Sequence, residues 1–412
     1  MWTNRRWLRA LVALCAVVSA CSGPPASVDP SAAPDRIAVT KAASSGDDYT
    51  FGMVLTGPVD DDSWNQSHFE GARYAVEHSP GTRFIYVDVL NPTDRPEATL
   101  EQAAEELIDQ GAKFVITNSA EFADATDTVA RAHPDVYFVH TSGDNVLAGK
   151  SPPNVVNLMG RTEYAKMLAG CAAALRTATG KIAYLGPLIN DETRRMVNST
   201  YLGARYCMQN YRNQSADAVA LSVTWIGFWV SIPGVTLDAA TVAADMIAQG
   251  NDVIVSGIDS PEPIVAAETA SAAGTPVWTV AHDTERACLD ATVACLGVNY
   301  LNWGPEYLRL ITAARAGELR QSFDWIAPDW DHLTGPDGGL VGFRNGPALS
   351  PLHAAQLHAF TDELAGGLAL FTGPLDYRDG TPFLAPGATP TDEQLWHTEQ
   401  LLARITGKSA QG

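Results

Sequence analysis

The chain is short of positive charge. Its 27 Lys and Arg stand against 47 Asp and Glu, a formal net charge of −20. Binding nucleic acid by counterion release needs the opposite sign, so that class of partner is excluded. Catalytic signatures are missing as well: there is no G-x-S-x-G, H-E-x-x-H, C-x-x-C or G-x-G-x-x-G. Gly149-Lys150-Ser151 and Gly407-Lys408-Ser409 imitate the end of a phosphate loop, but the glycine needed five positions earlier is Asp144 in one and Leu402 in the other. The nine histidines show no metal-ligand spacing. No cofactor, no metal and no catalytic residue are expected.

Long apolar runs are equally scarce. Ala10 to Val18 follows the basic Arg5, Arg6 and Arg9 and is too short for a bilayer, which takes about 20 residues. Residues 1–20 therefore read as a secretory signal. It ends in Val18-Ser19-Ala20-Cys21, the pattern of a bacterial lipobox, with Cys21 as the lipidated residue. The Ser-, Pro-, Ala- and Asp-rich stretch 21–48 cannot bury a core and reads as a disordered tether. The expected product is a lipid-anchored monomer on the extracytoplasmic face of the cell membrane, touching the membrane through its anchor only. Four cysteines remain for an oxidising compartment: Cys171, Cys207, Cys288 and Cys295. Three pairings are possible. Cys288–Cys295, the closest pair in sequence, is expected to close a small loop, with Cys171–Cys207 the remaining pair; four buried thiols are the alternative.

Along the body, strand-length apolar runs alternate with helical periodicity. Thr50–Leu55, Arg83–Val89, Lys113–Thr117 and Val136–His140 form one series. Val155–Met159, Lys181–Leu185, Val219–Ile226, Asp252–Gly257 and Pro276–Ala281 form a second. Between two of these runs, Leu100, Ala103, Ala104, Leu107 and Ile108 make the apolar stripe of a helix, which Gly111 stops. Such alternation gives parallel sheets, and about 360 residues suit two domains. The fold class is α/β, two doubly wound Rossmann-like lobes joined by a hinge. In open α/β sheets the ligand lies beyond the carboxyl ends of the strands.

The first such end reads "GPVDDDSWNQSHFEGAR", residues 57–73. Adjacent acids do not make a calcium loop, which alternates its ligands around a glycine. Ser63-x-x-Gln66 reads as a capping box for a helix from Trp64 to about His78, with the acids favouring its positive end. Trp64, in the first turn, points into the cleft.

These stretches, with "TNSAEFADATDTVARAHPDVYFVHTSG", "DSPEPIVAAE", "NYLNWGPEYL" and "ALFTGPLDYRDGTP", resemble successive motifs of the basic membrane protein family. Its members are substrate-binding lipoproteins of ABC importers, typified by purine-nucleoside receptors. The resemblance runs from about residue 50 to 400. It implies the type 1 periplasmic-binding fold, with three hinge crossings and an ABC permease as partner. By the same resemblance, the lobes would be 49–157 with 283–318 and 158–282 with 319–385, followed by a helical tail at 386–412. The ligand-binding residues it implies are Trp64 and Asn65, Ser119, Phe122 and Asp124, Trp229 (or Phe228), Asp259 and Ser260, Asp283, and Asn302 and Trp303. Stacking aromatics and N–H acceptors suit a purine base or nucleoside. The missing lysine around "NYLNWGP" favours a free base. Two other outputs fit the residues less well: a ligand sensor of this fold, and an extracellular nucleoside hydrolase using Asp124 and Asp283.

Overall fold

The computed structural model describes residues 37–45, 49–289, 291 and 293–410. The signal, Cys21 and most of the tether lie outside them. A strand appears where the tether was expected to continue: β1 (Thr40–Ser44). It is followed by β2 (Tyr49–Val54), α1 (Trp64–His78), β3 (Thr82–Val87), α2 (Leu100–Asp109) and β4 (Ala112–Thr117). Next come α3 (Ala123–Ala132), β5 (Tyr137–Thr141) and β6 (Val155–Gly160). β1 pairs antiparallel with β3, because it satisfies the backbone groups of an otherwise bare sheet edge. Helix α2 forms as its stripe predicts, with Thr99 and Gln102 closing a capping box and Leu100, Ala103, Ala104 and Leu107 buried.

α4 (Thr162–Arg176) crosses to the second lobe: β7 (Lys181–Gly186), α5 (Asp191–Asn210), β8 (Ala220–Trp225) and α6 (Ala239–Ala248). β9 (Val253–Ser256), α7 (Glu262–Ala272), β10 (Trp278–Asp283) and β11 (Cys295–Leu301) follow. The chain returns for α8 (Gly304–Arg315) and β12 (Ser322–Ile326), then crosses back for β13 (Val341–Asn345) and α9 (Pro351–Ala365). One sheet has the order β1-β3-β2-β4-β5-β6-β12 and the other β13-β11-β10-β9-β7-β8. The lobe boundaries accordingly move. Residues 283–301 belong to the second lobe, because β11 pairs with β10 and β13. Residues 319–326 belong to the first, because β12 pairs with β6. β6 itself ends the first series rather than opening the second.

The three crossings are tied to one another: the Arg161 N–H at the first donates to Ile326 O at the third (2.7 Å), and Asn302 joins the second to the third. The Asn302 amide donates to the carbonyls of Gly335 (3.3 Å), Pro336 (3.1 Å) and Gly338 (2.9 Å). In the second lobe α4 and α5 lie unusually close: a Cβ on Gly170 would sit 1.9 Å from Thr200 O, and one on Gly203 2.1 Å from Met167 O. Cys171–Cys207 bridges these two helices, and Cys288–Cys295 closes the loop before β11.

The expected helical tail is helical only at α10 (Asp392–Trp396), after a short hairpin, β14 (Leu375–Asp376) and β15 (Pro382–Leu384). Beyond α10 the chain is extended, bridging Tyr377 through Leu402 and Ser222 through Thr406. Burial of Leu401, Leu402 and Ile405 holds it there.

Candidate functional site

The acid triplet comes first. Helix α1 spans Trp64–His78, and the Ser63 side chain does not cap it. Asp61 takes that role. Its carboxylate accepts from the backbone N–H of Ser63 (3.0 Å), Asn65 (3.1 Å) and Gln66 (2.9 Å), and from the Asn65 amide at 2.8 Å. A charged acceptor makes stronger hydrogen bonds than a hydroxyl, and the positive helix end favours it. The capping-box expectation fails for that reason. Gln66 Oε1 still reaches back, but to the N–H of Asp62, whose φ is 52°. The released Ser63 hydroxyl crosses to the other lobe and donates to Asp283 Oδ2 at 2.7 Å.

Asn65 is buried, and Asn118 Nδ2 (2.9 Å) and Thr56 Oγ1 (3.2 Å) donate to its Oδ1. Its side chain builds the wall, with Oδ1 filled by these two donors and Nδ2 donating to Asp61. Trp64 is half-buried, with its indole N–H donating to Asn118 O at 2.7 Å. It meets Trp303 edge-on at 5.5 Å and His68 at 4.4 Å. Trp303 is fully buried, stacked on His68 (4.1 Å) and Tyr307 (5.8 Å). It is core, not a ligand contact, because the turn that carries it packs α8 on α1. Burial holds His68 well below the usual imidazole range, hence neutral.

The remaining expected residues of the first lobe divide. Phe122 packs in the core behind the sheet, with Val54 and Val115. Ser119 caps the short turn that precedes α3. Asp124 is exposed and accepts from Asn145 Nδ2 at 3.2 Å. Asn302 spends its amide on the crossings described above.

In the second lobe the strand ends converge. The Asp259 N–H donates to Trp229 O at 2.9 Å, which joins the loops after β8 and β9 and sets Trp229 beside Asp259 and Ser260. Asp283 ends β10 with φ 80° and is 2% exposed. One atom each of Asp259, His282 and Asp283 lies within 4.8 Å of the others. This is not a cation site, because His282 Nδ1 already accepts from Asn299 Nδ2 (2.7 Å) and faces Lys166 Nζ at 3.3 Å. An ammonium there repels a metal.

Lys166 was not foreseen. It comes from α4, is fully buried, and donates to Ser256 O at 2.7 Å. Burial pushes its pKa down to about 7, against the pull of Asp283 and Asp259. Burial raises Asp283 to about 7 against the Ser63 hydrogen bond, and lifts Asp259 well above the carboxylate range, with Asp283 adding to the rise. The one available signal was a lone lysine in "TEYAKMLAGCAAALR", a helix otherwise apolar around that position. Tyr184 Oη and Ser260 Oγ, also in this lobe, are buried atoms without hydrogen-bond partners.

Residues 49–293 match the family described as ABC transporter substrate-binding protein PnrA-like. A purine-binding protein of Brucella abortus is 26% identical over 373 residues, covering 90% of this chain and 96% of that one. An ABC transporter nucleoside-binding protein of Lactococcus lactis is 29% identical over 202 residues, 48% of this chain and 51% of that one. Among solved structures, an ABC transporter solute-binding protein of Aeropyrum pernix shares the fold with a TM-score of 0.61 at 14% identity, covering 84% of this chain and 95% of that one. One from Conexibacter woesei does so at 0.56 and 19%, covering 77% and 97%. With more than half its length matched by that family, and with two doubly wound lobes around a cleft, the chain belongs to the PnrA-like substrate-binding proteins of ABC transporters.

Proposed function

We propose that the protein captures a purine, base or nucleoside, outside the cytoplasm and delivers it to an ABC permease, held to the membrane by lipid on Cys21. The observation that carries this reading is the pairing of two half-buried indoles, Trp64 and Trp229, with acceptor-rich strand ends at Asp259 and Asp283. An indole stacked on a base is worth about 1–3 kcal/mol, and carboxylates accept the N–H and O–H groups that a purine or its ribose offers. Lys166 lies behind this wall, engaged by Ser256 O and facing His282 Nδ1, and base and nucleoside both stay within the proposed class. The relatives named for purine and nucleoside binding support the same class.

The test is calorimetry with adenine, adenosine and guanosine, with native mass spectrometry of the purified protein for retained ligand. Tight one-to-one binding with no product is expected. Absence of binding to all three, or turnover of a nucleoside, would refute the reading.

A further inference from the structure

We propose that closing the lobes captures one proton from solvent, held by the Asp259–Asp283 pair. The inference rests on the two-lobed binding-protein fold and not on the identity of the ligand. Ser63 sits on the first lobe and Asp283 on the second, so their 2.7 Å hydrogen bond exists only while the lobes are together. Parted lobes would leave Asp283 in water, where a carboxylate ionises near about 3.9. Closed, Asp283 is 2% exposed and within 4.8 Å of an Asp259 oxygen.

Neither carboxylate has a cationic partner among the described residues, because the one ammonium nearby is turned elsewhere. Lys166 Nζ is engaged by Ser256 O and faces His282 Nδ1. The other charged or titratable groups near the pair are Asp61 at the start of α1, Glu192 on α5 and His282 on β10, with Glu70, Glu285 and Arg286 lining the cavity beside Asp283. Asp61 and Glu192 oppose negative charge on the pair, and Lys166 favours it. His282 is held neutral by burial and by Lys166. Two carboxylates this close, with Asp283 buried and Asp259 half-buried, repel each other, and one proton on the pair removes the repulsion. A cavity of about 180 Å³, lined by Ser67, Glu70, Asp283 and Arg286 among others, reaches Asp283 from the α1 side and admits the proton.

The sign follows from the direction of the shift. The closed pair holds its proton to higher pH than the open pair, so closure is favoured at low pH. It should weaken about tenfold per pH unit as pH rises towards the closed-state value of about 7 for Asp283, and level off above it. The experiment places spin labels on Asp109→Cys (α2) and Thr269→Cys (α7), both exposed, and follows their separation by pulsed dipolar spectroscopy in ligand-free protein across this range. The wild type should shift from closed to open as pH rises. Asp283→Asn and Asp259→Asn should each abolish the shift, and the second variant gives the same reading if the first does not fold. His397, which lies between Asp144 (3.7 Å) and Asp191 (3.3 Å), is the control: His397→Gln should keep the shift. A separation independent of pH in the wild type, a shift that survives both Asn variants, or one lost in His397→Gln would overturn the proposal. No purine enters the measurement, so failure here and failure to bind adenosine are separate results.

Discussion

The two walls of the cleft are built on opposite principles. On the first lobe most polar groups around Trp64 are matched: Asp61 to three backbone N–H groups, Asn65 to Asn118 and Thr56, and the indole N–H to Asn118 O; His68 Nε2 and Trp303 Nε1, buried beneath the indole, are the exceptions. On the second lobe Tyr184 Oη and Ser260 Oγ lack partners, and the acids Asp259 and Asp283 have no cationic partner among the described residues. A matched wall keeps its shape whether or not a ligand is present. An unmatched wall gains most from a ligand that brings the missing donors. On this contrast the second lobe is expected to discriminate between ligands more strongly than the first.

The strongest way to break this contrast is Asp283→Ala. Binding of adenosine or adenine should weaken by about 3 kcal/mol, more than 100-fold, because a buried ligand donor loses a charged acceptor. The unliganded protein should lose the pH dependence of stability that Asp283 imposes. A carboxyl whose folded-state value is raised to about 7 adds stability at low pH, and that stability is lost as pH climbs from the ordinary carboxylate range through 7. Thermal melts at pH 5 and pH 8.5 measure this directly. Trp64→Ala comes next, with about 2 kcal/mol or roughly 30-fold lost in affinity and a lower ligand-free melting temperature too, because the indole packs on His68 and Trp303 and bonds Asn118 O.

Asp61→Ala should act on stability instead, by about 1.5 kcal/mol in a denaturant titration, since it uncaps α1. Its effect on affinity should be indirect and smaller than that of Trp64→Ala. A larger loss would mean that the first wall recognises chemistry too. Asp60→Asn, one residue away and exposed, should change either property by less than about 0.5 kcal/mol.

The strand-helix beat was legible because each run carries its own periodicity, and helix α1 begins and ends where the sequence places it. Trp64, Asp259 and Asp283 could be singled out because they lie at or beyond the carboxyl ends of strands. What escaped depends on partners distant in sequence. No local pattern tells that β12 pairs with β6 or that β11 joins β10, so the lobe boundaries shifted. Trp303 and Trp64 both sit at the start of helices, and only packing separates the buried ring from the half-exposed one. Ser63 matched a capping pattern, yet a stronger acceptor two residues earlier displaced it. Lys166 read as one residue of a buried helix because its acidic neighbours lie more than ninety positions away.

The late arrival of β12 has a consequence for how the molecule is made. The strand completing the edge of the first sheet is separated from its neighbour β6 by the whole of β7 to β11, and the second sheet waits for β13. Residues 402 and 406 then add the last bridges. Neither lobe can be finished from a contiguous stretch, so a chain emerging end-first stays incomplete until almost all of it has emerged. Pairings this remote also slow folding once it begins. A nascent chain stalled before residue 322 would expose the open edge of β6, and a chaperone that covers such an edge would matter most in that interval.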